Sequence, residues 1–356
     1  MQARKLVTLR RVSEIDPING ADQIEVATVD GWKCVVKKGE FRVGDLGVYH
    51  EIDSLLPMIP LYEFLKNKGT KKMTVDGIER EGYLLRTIRL KGQVSQGLLL
   101  PKAKVLEAFE AEIGKRFDEG NDIIDYAEIM GIVKYEAPVP AQLAGQVEGM
   151  FPSFISKTDQ ERCQNLTSEL IRFQGMQFEV TEKLDGSSMT VYLKDGHFGV
   201  CSRNLELKET DGNTQWKLAR EMDLEKKLHF MFGRDKREYA IQGEVIGEGI
   251  QKNPYKLKGH QFRIFDVFDI TEGRYLMPGE RISFLSWTDL LGKEVPVINN
   301  CELLYGGARQ LLTKAEGKSL MADVEREGVV FKSHFLVNNA PFTFKAISNN
   351  YLLSEE

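Results

Sequence analysis

The sequence predicts an α+β protein of two domains, a small N-terminal β-barrel followed by a larger domain of strands with interspersed helices. A length of 356 residues is enough for two hydrophobic cores. About five short runs of alternating apolar residues occupy the first third, and Gly-marked turns separate them. Longer strand-like runs dominate the rest of the chain, where helical patterns interrupt them without a regular βαβ alternation.

The N-terminal strands indicate a small barrel such as an OB-fold, although another small barrel or a sandwich would fit the same pattern. The segment QIEVATVDGWKCVVKKGEF places Asp30-Gly31 between two alternating runs, which predicts a hairpin turn. KLVTLRRVSEI precedes this segment, and VGDLGVYHEI and GYLLRTIRLKGQVSQGLLLP follow it. We assign the OB-fold domain to residues 1–118.

A polar, helix-prone segment and a stretch rich in proline and glycine separate the barrel from the second domain. We place the linker at residues 119–134 and the second domain at residues 135–356. Strands are predicted there by QFEVTEKLDG, SSMTVYLKDGHFGVCSR, YAIQGEVIGEGI, QFRIFDVFDI, EGVVFKS and FTFKAIS. Helices are predicted by TQWKLAREMDLEKKLHFMF and RQLLTKAEGKSL.

Composition excludes several classes of protein. The net charge of -5 excludes a generally basic chain, but a local basic surface can still bind phosphates. No apolar run is long enough for a membrane span, and the N-terminus lacks the apolar region of a signal peptide. The four cysteines are scattered without a CxxC pair, which fits a reducing compartment and disfavours a zinc site. We expect a cytoplasmic monomer without a membrane partner.

The stretch TEKLDGSSMT, residues 181–190, contains the first candidate for a reactive residue. Lys183 follows an apolar run and lies two residues before Asp185-Gly186. The pattern K-x-D-G is expected by chance in about one chain of this size in ten, so the motif by itself favours a β-turn with a solvated lysine. However, the flanking runs FEVT and MTVYL place Lys183 at the end of a strand, on rigid structure.

Further polar and aromatic residues follow Lys183 in a fixed order, at strand ends and turns. They are Arg203 in SRN, Glu244 in QGE, Phe265 in FRIFDVFD, Glu327 in EGVVF and Lys345 in FTFKAIS. Each pattern is common by itself. Their ordered combination is similar to the motif series of covalent nucleotidyltransferases, the superfamily of ATP-dependent ligases and capping enzymes.

A lysine in such a site can accept AMP. The amine of Lys183 would attack the α-phosphate of ATP, form a lysyl-AMP phosphoramidate and release pyrophosphate. Because a lysine with a pKa of about 10.4 is almost wholly charged at pH 7, nearby cations must favour the neutral amine. The carboxylates of Asp185, Glu244 and Glu327 can hold Mg²⁺ through its waters. Mn²⁺ also accepts oxygen ligands, so it stays an alternative.

The remaining residues of the series suit the binding of the nucleotide. Arg203 and Lys345 can neutralise charge that develops on the α-phosphate. The aromatic face of Phe265 can stack on adenine.

Six segments together resemble the ATP-dependent RNA ligases of the Deinococcus/Naegleria type: TEKLDGSS, CSRN, IQGEVIGEGIQ, FRIFDVFD, REGVVFKS and FKAISNNYLL. EVATVDGWKCVVKKGEFRVGD and FPSFISKTDQERCQN resemble this family too, so the likeness covers nearly the whole chain. The family carries an OB domain ahead of its nucleotidyltransferase domain. DNA ligases and capping enzymes carry it after the last motif, where this chain has only residues 346–356. The position of the barrel therefore favours an RNA ligase.

The resemblance implies roles at the nucleophile and the base. Lys183 would accept AMP, and Glu182 would help to recognise the adenine edge. Phe265 would stack on adenine, with Phe268 of the repeated FDVFD as an alternative. Glu244 would contact the nucleotide as well as the metal.

The resemblance also implies which residues contact the phosphates. Arg162 would bind the ATP phosphates, Arg203 the ribose or a phosphate, and Lys345 the α-phosphate. Related ligases often have Lys-x-Lys in the last motif, but here the first position is Thr343. How the phosphates are shared among the basic groups is therefore open.

The reaction that the resemblance implies joins RNA ends. AMP would pass from Lys183 to a 5′-phosphate, and a 3′-hydroxyl would then displace it, with nicked duplex RNA as the expected substrate. Other enzymes of the superfamily, such as DNA ligases, and a non-catalytic RNA-binding protein on this fold stay open.

Nucleic acid would also bind to basic strands of the barrel, for which Lys37, Lys38, Arg42 and the loop Lys66–Lys72 are candidates. A merely solvated charged surface is the alternative.

Overall fold

The structure is a computed structural model of the chain, and it describes residues 4–75, 77–113, 124–136 and 145–354. Strands and helices alternate irregularly along the sequence, so the predicted α+β class is confirmed. The chain divides into two compact units, Met1–Val139 and Pro140–Glu356.

The first unit is built mainly of short antiparallel strands. They are β1 (Val7–Arg11), β2 (Glu14–Pro17), β3 (Ile24–Val29), β4 (Trp32–Lys37), β5 (Leu46–His50), β6 (Ser54–Pro57), β7 (Lys71–Val75), β8 (Ile78–Leu84), β9 (Thr87–Leu90), β10 (Gln93–Gln96), β11 (Leu98–Pro101) and β12 (Val133–Lys134). They pair in the orders β1-β5-β11, β2-β3-β4, β10-β9 and β12-β6-β8-β7. A 3-10 helix spans Pro60–Lys68, and helix α1 spans Lys102–Ile113.

The predicted hairpin turn at Asp30-Gly31 is confirmed. It joins β3 to β4, and its two residues have φ values of 48° and 86°, as a type I′ turn requires. Along β4 every second side chain is buried, so Trp32 and Cys34 point into the same core. The alternating pattern of the sequence thus fixes which face of this hairpin is covered.

The first unit extends past residue 118, the predicted end of the OB-fold domain. Tyr126 is fully buried in its core, and Val133 pairs with Leu55 of β6. Residues 119–123 of the predicted linker lie outside the described residues. The domain limits therefore stay predictions, whereas the described residues 124–134 pack with the first unit.

The second unit contains two β-sheets. Its strands are β13 (Val147–Met150), β14 (Glu161–Arg162), β15 (Gln177–Lys183), β16 (Ser187–Lys194), β17 (His197–Cys201), β18 (Leu205–Leu207), β19 (Tyr239–Gly247), β20 (His260–Asp269), β21 (Arg274–Tyr275), β22 (Val297–Leu303), β23 (Gly328–Val337) and β24 (Ala340–Ile347). The larger sheet has the order β13-β18-β17-β16-β19-β20-β21, and the smaller has the order β14-β24-β23-β15-β22. The chain passes from the smaller to the larger sheet between β15 and β16.

The helices of the second unit are α2 (Thr167–Arg172), α3 (Thr214–Glu221), α4 (Leu224–Asp235), α5 (Pro278–Trp287), α6 (Ala308–Ala315) and α7 (Asn349–Ser354), with a 3-10 turn at Cys163–Asn165. One of the two predicted helices is in fact a pair, α3 and α4. The break falls at Asp223, whose φ of 52° is left-handed and cannot continue a helix. Within the described ranges no helix is both long enough and apolar enough to cross a membrane.

Candidate active site

Lys183 is the last residue of β15, as the sequence predicts. Its Nζ donates a hydrogen bond of 2.6 Å to Oε1 of Glu327, the residue just before β23. The two meet because β15 and β23 are neighbours and pair Lys183 with Gly328. Both side chains are largely buried, with 27% and 16% of their surfaces exposed. The structure thus brings together two predicted site residues that lie far apart in the sequence.

Three carboxylates set the charge of the lysine. Burial lowers the pKa of Lys183, but Glu327, Glu244 and Asp185 together outweigh burial and raise it. Glu244 is affected by the same neighbours. Burial raises its pKa to about 7, although the positive charge of Lys183 lowers it. The three carboxylates therefore favour the ammonium form of Lys183.

The segment after Lys183 connects the two sheets and is not a hairpin. Leu184 is buried in a cluster with Ile246 and Tyr255. Gly186 lies so close to β19 that a Cβ atom there would be 2.5 Å from the carbonyl oxygen of Val245 and 2.7 Å from Cγ of Glu244. Only glycine fits this approach, which places Glu244 beside the nucleophile.

Two tyrosines hold Asp185. Its backbone N–H donates to the hydroxyl of Tyr255 at 2.7 Å, and its Oδ2 accepts from the hydroxyl of Tyr351 at 2.7 Å. Tyr351 lies on α7, a helix that the sequence analysis did not predict. Neither tyrosine belongs to the predicted site. A signal was present for Tyr351, because FKAISNNYLL was among the segments that resembled the family.

Glu182 is buried on β15, with 1% of its surface exposed. Its Oε2 accepts a hydrogen bond of 2.7 Å from the backbone N–H of Leu320. Oε1 is also buried and has no hydrogen-bond partner. Burial raises the pKa of this carboxyl, and the hydrogen bond from Ser319 lowers it by less. An acceptor that is buried and unsatisfied is costly, so this side chain suits a ligand that brings a donor.

Arg162 and Lys345 are neighbours on paired strands. β14 runs parallel to β24, and the register sets Arg162 opposite Lys345. Thr343, which stands where relatives often have a lysine, lies two residues earlier on β24 and pairs with Lys332 of β23. The structure therefore places the two predicted phosphate-binding residues side by side.

Phe265 occupies a bulge in β20. Gln242 of β19 pairs with Asp266 and the next residue, Gly243, pairs with Ile264, so Phe265 is the extra residue. Its side chain packs against the cluster that contains Leu184. Phe268 instead packs with Tyr275 in a separate cluster, at a centroid distance of 5.1 Å. Of the two aromatic residues, Phe265 is the one that packs against the cluster of Leu184, the residue after Lys183.

Arg203 lies in the turn between β17 and β18 and is 66% exposed. Its Nη2 donates to Oδ1 of Asp159 at 2.8 Å. Its positive charge lowers the pKa of Glu244, so Arg203 contributes to the electrostatics of the site. Arg203, Asp159 and Lys157 line a small cavity together with Gln242.

The predicted metal ligands are the carboxylates of Asp185, Glu244 and Glu327. Asp185, Glu244 and Glu327 lie close enough to act on the charge of Lys183, but no group of three His, Cys, Asp or Glu side chains arranged to hold a metal occurs in the described part of the chain. Mg²⁺ usually keeps several waters and is bound by one or two carboxylates together with phosphates. Oε2 of Glu327 is buried without a hydrogen-bond partner, which is the kind of atom that such an ion would satisfy. The carboxylates therefore fit a metal that arrives with a nucleotide.

Four ionisable side chains are buried behind Phe265, and none of them was predicted from the sequence. Arg281 of α5 binds both carboxylate oxygens of Glu179, at 2.7 and 2.8 Å. Lys332 of β23 contacts Asp266. All four are at most 3% exposed. Charged residues are common at the surface, so their types alone gave no signal of this burial.

The basic candidates on the first unit are surface residues. Lys37, Lys38, Arg42 and the lysines of Lys66–Lys72 are exposed. Lys72 forms an ion pair of 2.9 Å with Glu79. The aromatic ring of Phe64, 58% exposed, lies near these lysines in the sequence and was not predicted.

Comparison with known proteins shows similarity in both units. A family model described as an OB-fold domain matches residues 6–102, and the RNA ligase family model matches residues 176–347. The predicted OB-fold is thereby confirmed. A search among curated proteins finds no match.

Solved structures match almost the entire chain. The Naegleria gruberi RNA ligase with PPi is 46% identical, and the match covers 98% of each chain with a TM-score of 0.78. A mutant of the same ligase with ATP and Mn is 45% identical, with 99% coverage of each chain and a TM-score of 0.79. Another mutant with AMP and Mn is 46% identical, with 99% coverage of each chain and a TM-score of 0.80.

Proposed function

This chain belongs to the RNA ligase family, and from that premise we propose that Lys183 carries AMP from ATP to an RNA end. The chain is an ATP-dependent RNA ligase by this membership, and a solved relative holds ATP and Mn, which supports ATP with Mn²⁺ or Mg²⁺ as its cofactors. The observation that carries the lysyl-AMP route is the position of Lys183 at a strand end, paired with Glu327 and surrounded by carboxylates.

The first step forms a bond between Nζ of Lys183 and the α-phosphorus of ATP. The bond from that phosphorus to the bridging oxygen breaks, and pyrophosphate leaves with the electron pair. The amine must first lose a proton, and Glu327 lies within hydrogen-bond distance of it. Arg162 and Lys345 would bind the phosphates, and their adjacency on β14 and β24 supports this role.

Asp185, Glu244 and Glu327 would hold the metal. When bound, Mg²⁺ or Mn²⁺ supplies positive charge that neutralises the carboxylates and the phosphates, and so favours the neutral amine. The buried, unsatisfied oxygen of Glu327 supports this role. Tyr255 and Tyr351 keep Asp185 oriented for it.

Phe265 and Glu182 would bind the base. Phe265 would stack on adenine. The unsatisfied oxygen of Glu182 would accept a hydrogen bond from the exocyclic amine of adenine. This proposal needs both the bulge of β20 and the burial of β15.

The later steps join the RNA ends. The AMP passes to a 5′-phosphate, which gives a 5′-5′ adenylylated end, and a 3′-hydroxyl then attacks that end and releases AMP. We take broken RNA in a nicked duplex as the substrate, so the protein would serve RNA repair. Exposed basic residues of the first unit, with Phe64, support contact with RNA there.

We also propose that the protein acts as a monomer in the cytoplasm. Its cysteines are free, and Cys34, Cys163 and Cys201 are buried, which suits a reducing compartment.

The decisive experiment is labelling with α-labelled ATP and Mg²⁺. We expect the wild type to take up label and Lys183→Met to take up none. Lys194→Met is the matched control, because Lys194 is also at a strand end, is 31% exposed and pairs with Glu238 at 3.4 Å. Equal labelling of wild type and Lys183→Met would exclude Lys183 as the nucleophile. Nicks with RNA or DNA on each side then separate an RNA ligase from a DNA ligase.

A further inference from the structure

The bulge that carries Phe265 receives unusual support from side chains. A bulge leaves its extra residue outside the regular ladder of hydrogen bonds. The carbonyl oxygen of Phe265 instead accepts one bond from Nη1 of Arg281 and one from Nζ of Lys332, each at 3.3 Å. These donors come from two other elements, α5 and β23. The peptide group of the bulge is thus fixed by cations that are not its neighbours in the sheet.

Both basic side chains are buried, and burial lowers the pKa of Lys332 to about 7. Arg281 is 1% exposed and Lys332 is 3% exposed. Glu179 of β15 binds Nη2 of Arg281 with both oxygens, and Asp266 contacts Lys332. Glu179 and Lys332 also lie opposite each other on β15 and β23. The four charges therefore tie the smaller sheet to β20 and α5.

Stability alone does not account for this arrangement. Charges buried in the interior lose their hydration, and replacing such pairs with well-packed apolar residues is often neutral or stabilising. The pairs do, however, fix geometry, because each cation has a defined set of acceptors. Nη1 of Arg281 takes no part in the pair with Glu179 and donates instead to the carbonyl oxygen of Phe265.

We propose that Arg281 and Lys332 clamp the carbonyl group of Phe265 and thereby hold its ring in position to stack on the base of ATP. Arg281 is then a positioning residue, since it acts through Phe265. This inference rests on the proposed stacking role of Phe265. Its consequence is that loss of the clamp weakens ATP binding without slowing the chemistry at Lys183.

The test measures AMP transfer to the full-length protein as a function of ATP concentration. Arg281→Lys keeps a positive charge for Glu179, but an amine cannot reach both Glu179 and the carbonyl as the guanidinium does. We expect the half-saturating ATP concentration to rise about 5-fold, as for the loss of one hydrogen bond, with an unchanged maximal rate. Arg274→Lys is the matched control, because Arg274 binds both oxygens of Glu280 at 2.8 Å but does not bind Phe265.

A double-mutant cycle shows whether Arg281 acts through Phe265. In a Phe265→Leu background, Arg281→Lys should have no further effect on the half-saturating ATP concentration. A full, additive effect in that background would overturn the clamp. If Arg281→Lys does not fold, Glu179→Leu combined with Arg281→Met removes the donor without leaving an unpaired buried charge.

The cycle separates the two hypotheses. If Phe265→Leu leaves the half-saturating ATP concentration unchanged, the stacking role is wrong and the clamp falls with it. If Phe265→Leu raises it while the Arg281 variants do not, the stacking role stands and the clamp is wrong.

Discussion

Replacing Gly186 with alanine should separate the nucleophile from Glu244. The new Cβ would lie 2.5 Å from the carbonyl oxygen of Val245 and 2.7 Å from Cγ of Glu244. Ordinary contacts between such atoms are about 3.3 Å or more, so β16 and β19 must move apart by roughly 0.8 Å. A misplacement of about 1 Å in an active site costs up to about 100-fold in rate. We therefore expect AMP transfer to Lys183 to slow by about 10- to 100-fold.

The strain itself should cost about 1–3 kcal/mol of the free energy of unfolding, as overpacking does in other proteins. The assay is AMP transfer from labelled ATP at saturating concentration, at a temperature where the variant is folded. Gly212→Ala is the matched control, because a Cβ at Gly212 meets no atom within 4 Å. A Gly186→Ala enzyme with the wild-type rate would show that the close approach of β19 does not matter for catalysis.

Three further predictions follow from other contacts. Tyr351→Phe removes the 2.7 Å hydrogen bond to Asp185 and should slow AMP transfer about 10-fold at saturating ATP. Tyr305→Phe is the control and should not slow it, because Tyr305 is 63% exposed. Equal rates for the two variants would contradict the orienting role of Tyr351. Glu182→Gln should reduce the preference for ATP over GTP in AMP transfer, and an unchanged preference would exclude Glu182 from base recognition. Burial lowers the pKa of His50 from 6.5 to about 4, so the unfolded chain binds the extra proton first. His50 therefore costs the protein no stability above pH 6.5. As the pH falls towards 4, it lowers the free energy of unfolding by up to about 3 kcal/mol, at about 1.4 kcal/mol per pH unit. Urea unfolding across this range should show that loss for the wild type but not for His50→Phe, and parallel losses would refute it.

Local patterns of the sequence were sufficient for several elements. The Asp30-Gly31 turn was predictable because only a few residue types adopt positive φ at both positions of a two-residue hairpin. The end of β15 at Lys183 was predictable because an apolar run stops there. The ordered motifs predicted one site for Lys183, Glu327 and Lys345, and in the structure Lys183 and Glu327 are in contact.

Features that depend on contacts between distant segments could not be read from the sequence. The break between α3 and α4 depends on a left-handed Asp223, for which the helical pattern gave no sign. The crossing between the two sheets after Lys183 has the same Asp-Gly dipeptide as a hairpin, and only tertiary packing decides between the two. The pair Glu179–Arg281 joins residues that are 102 positions apart, and nothing local marks either of them.

The pairing of Lys183 with Glu327 has a consequence for how the protein is made. The two residues are 144 positions apart, and Asp185 and Tyr351 are 166 apart. At a synthesis rate of about 5–20 residues per second, a ribosome adds Glu327 roughly 7–29 s after Lys183. During that interval the lysine has neither its strand neighbour β23 nor its carboxylate partner. The reactive amine therefore becomes part of a working site only when nearly all of the second unit has been translated, because Glu327 and Tyr351 are among its last residues.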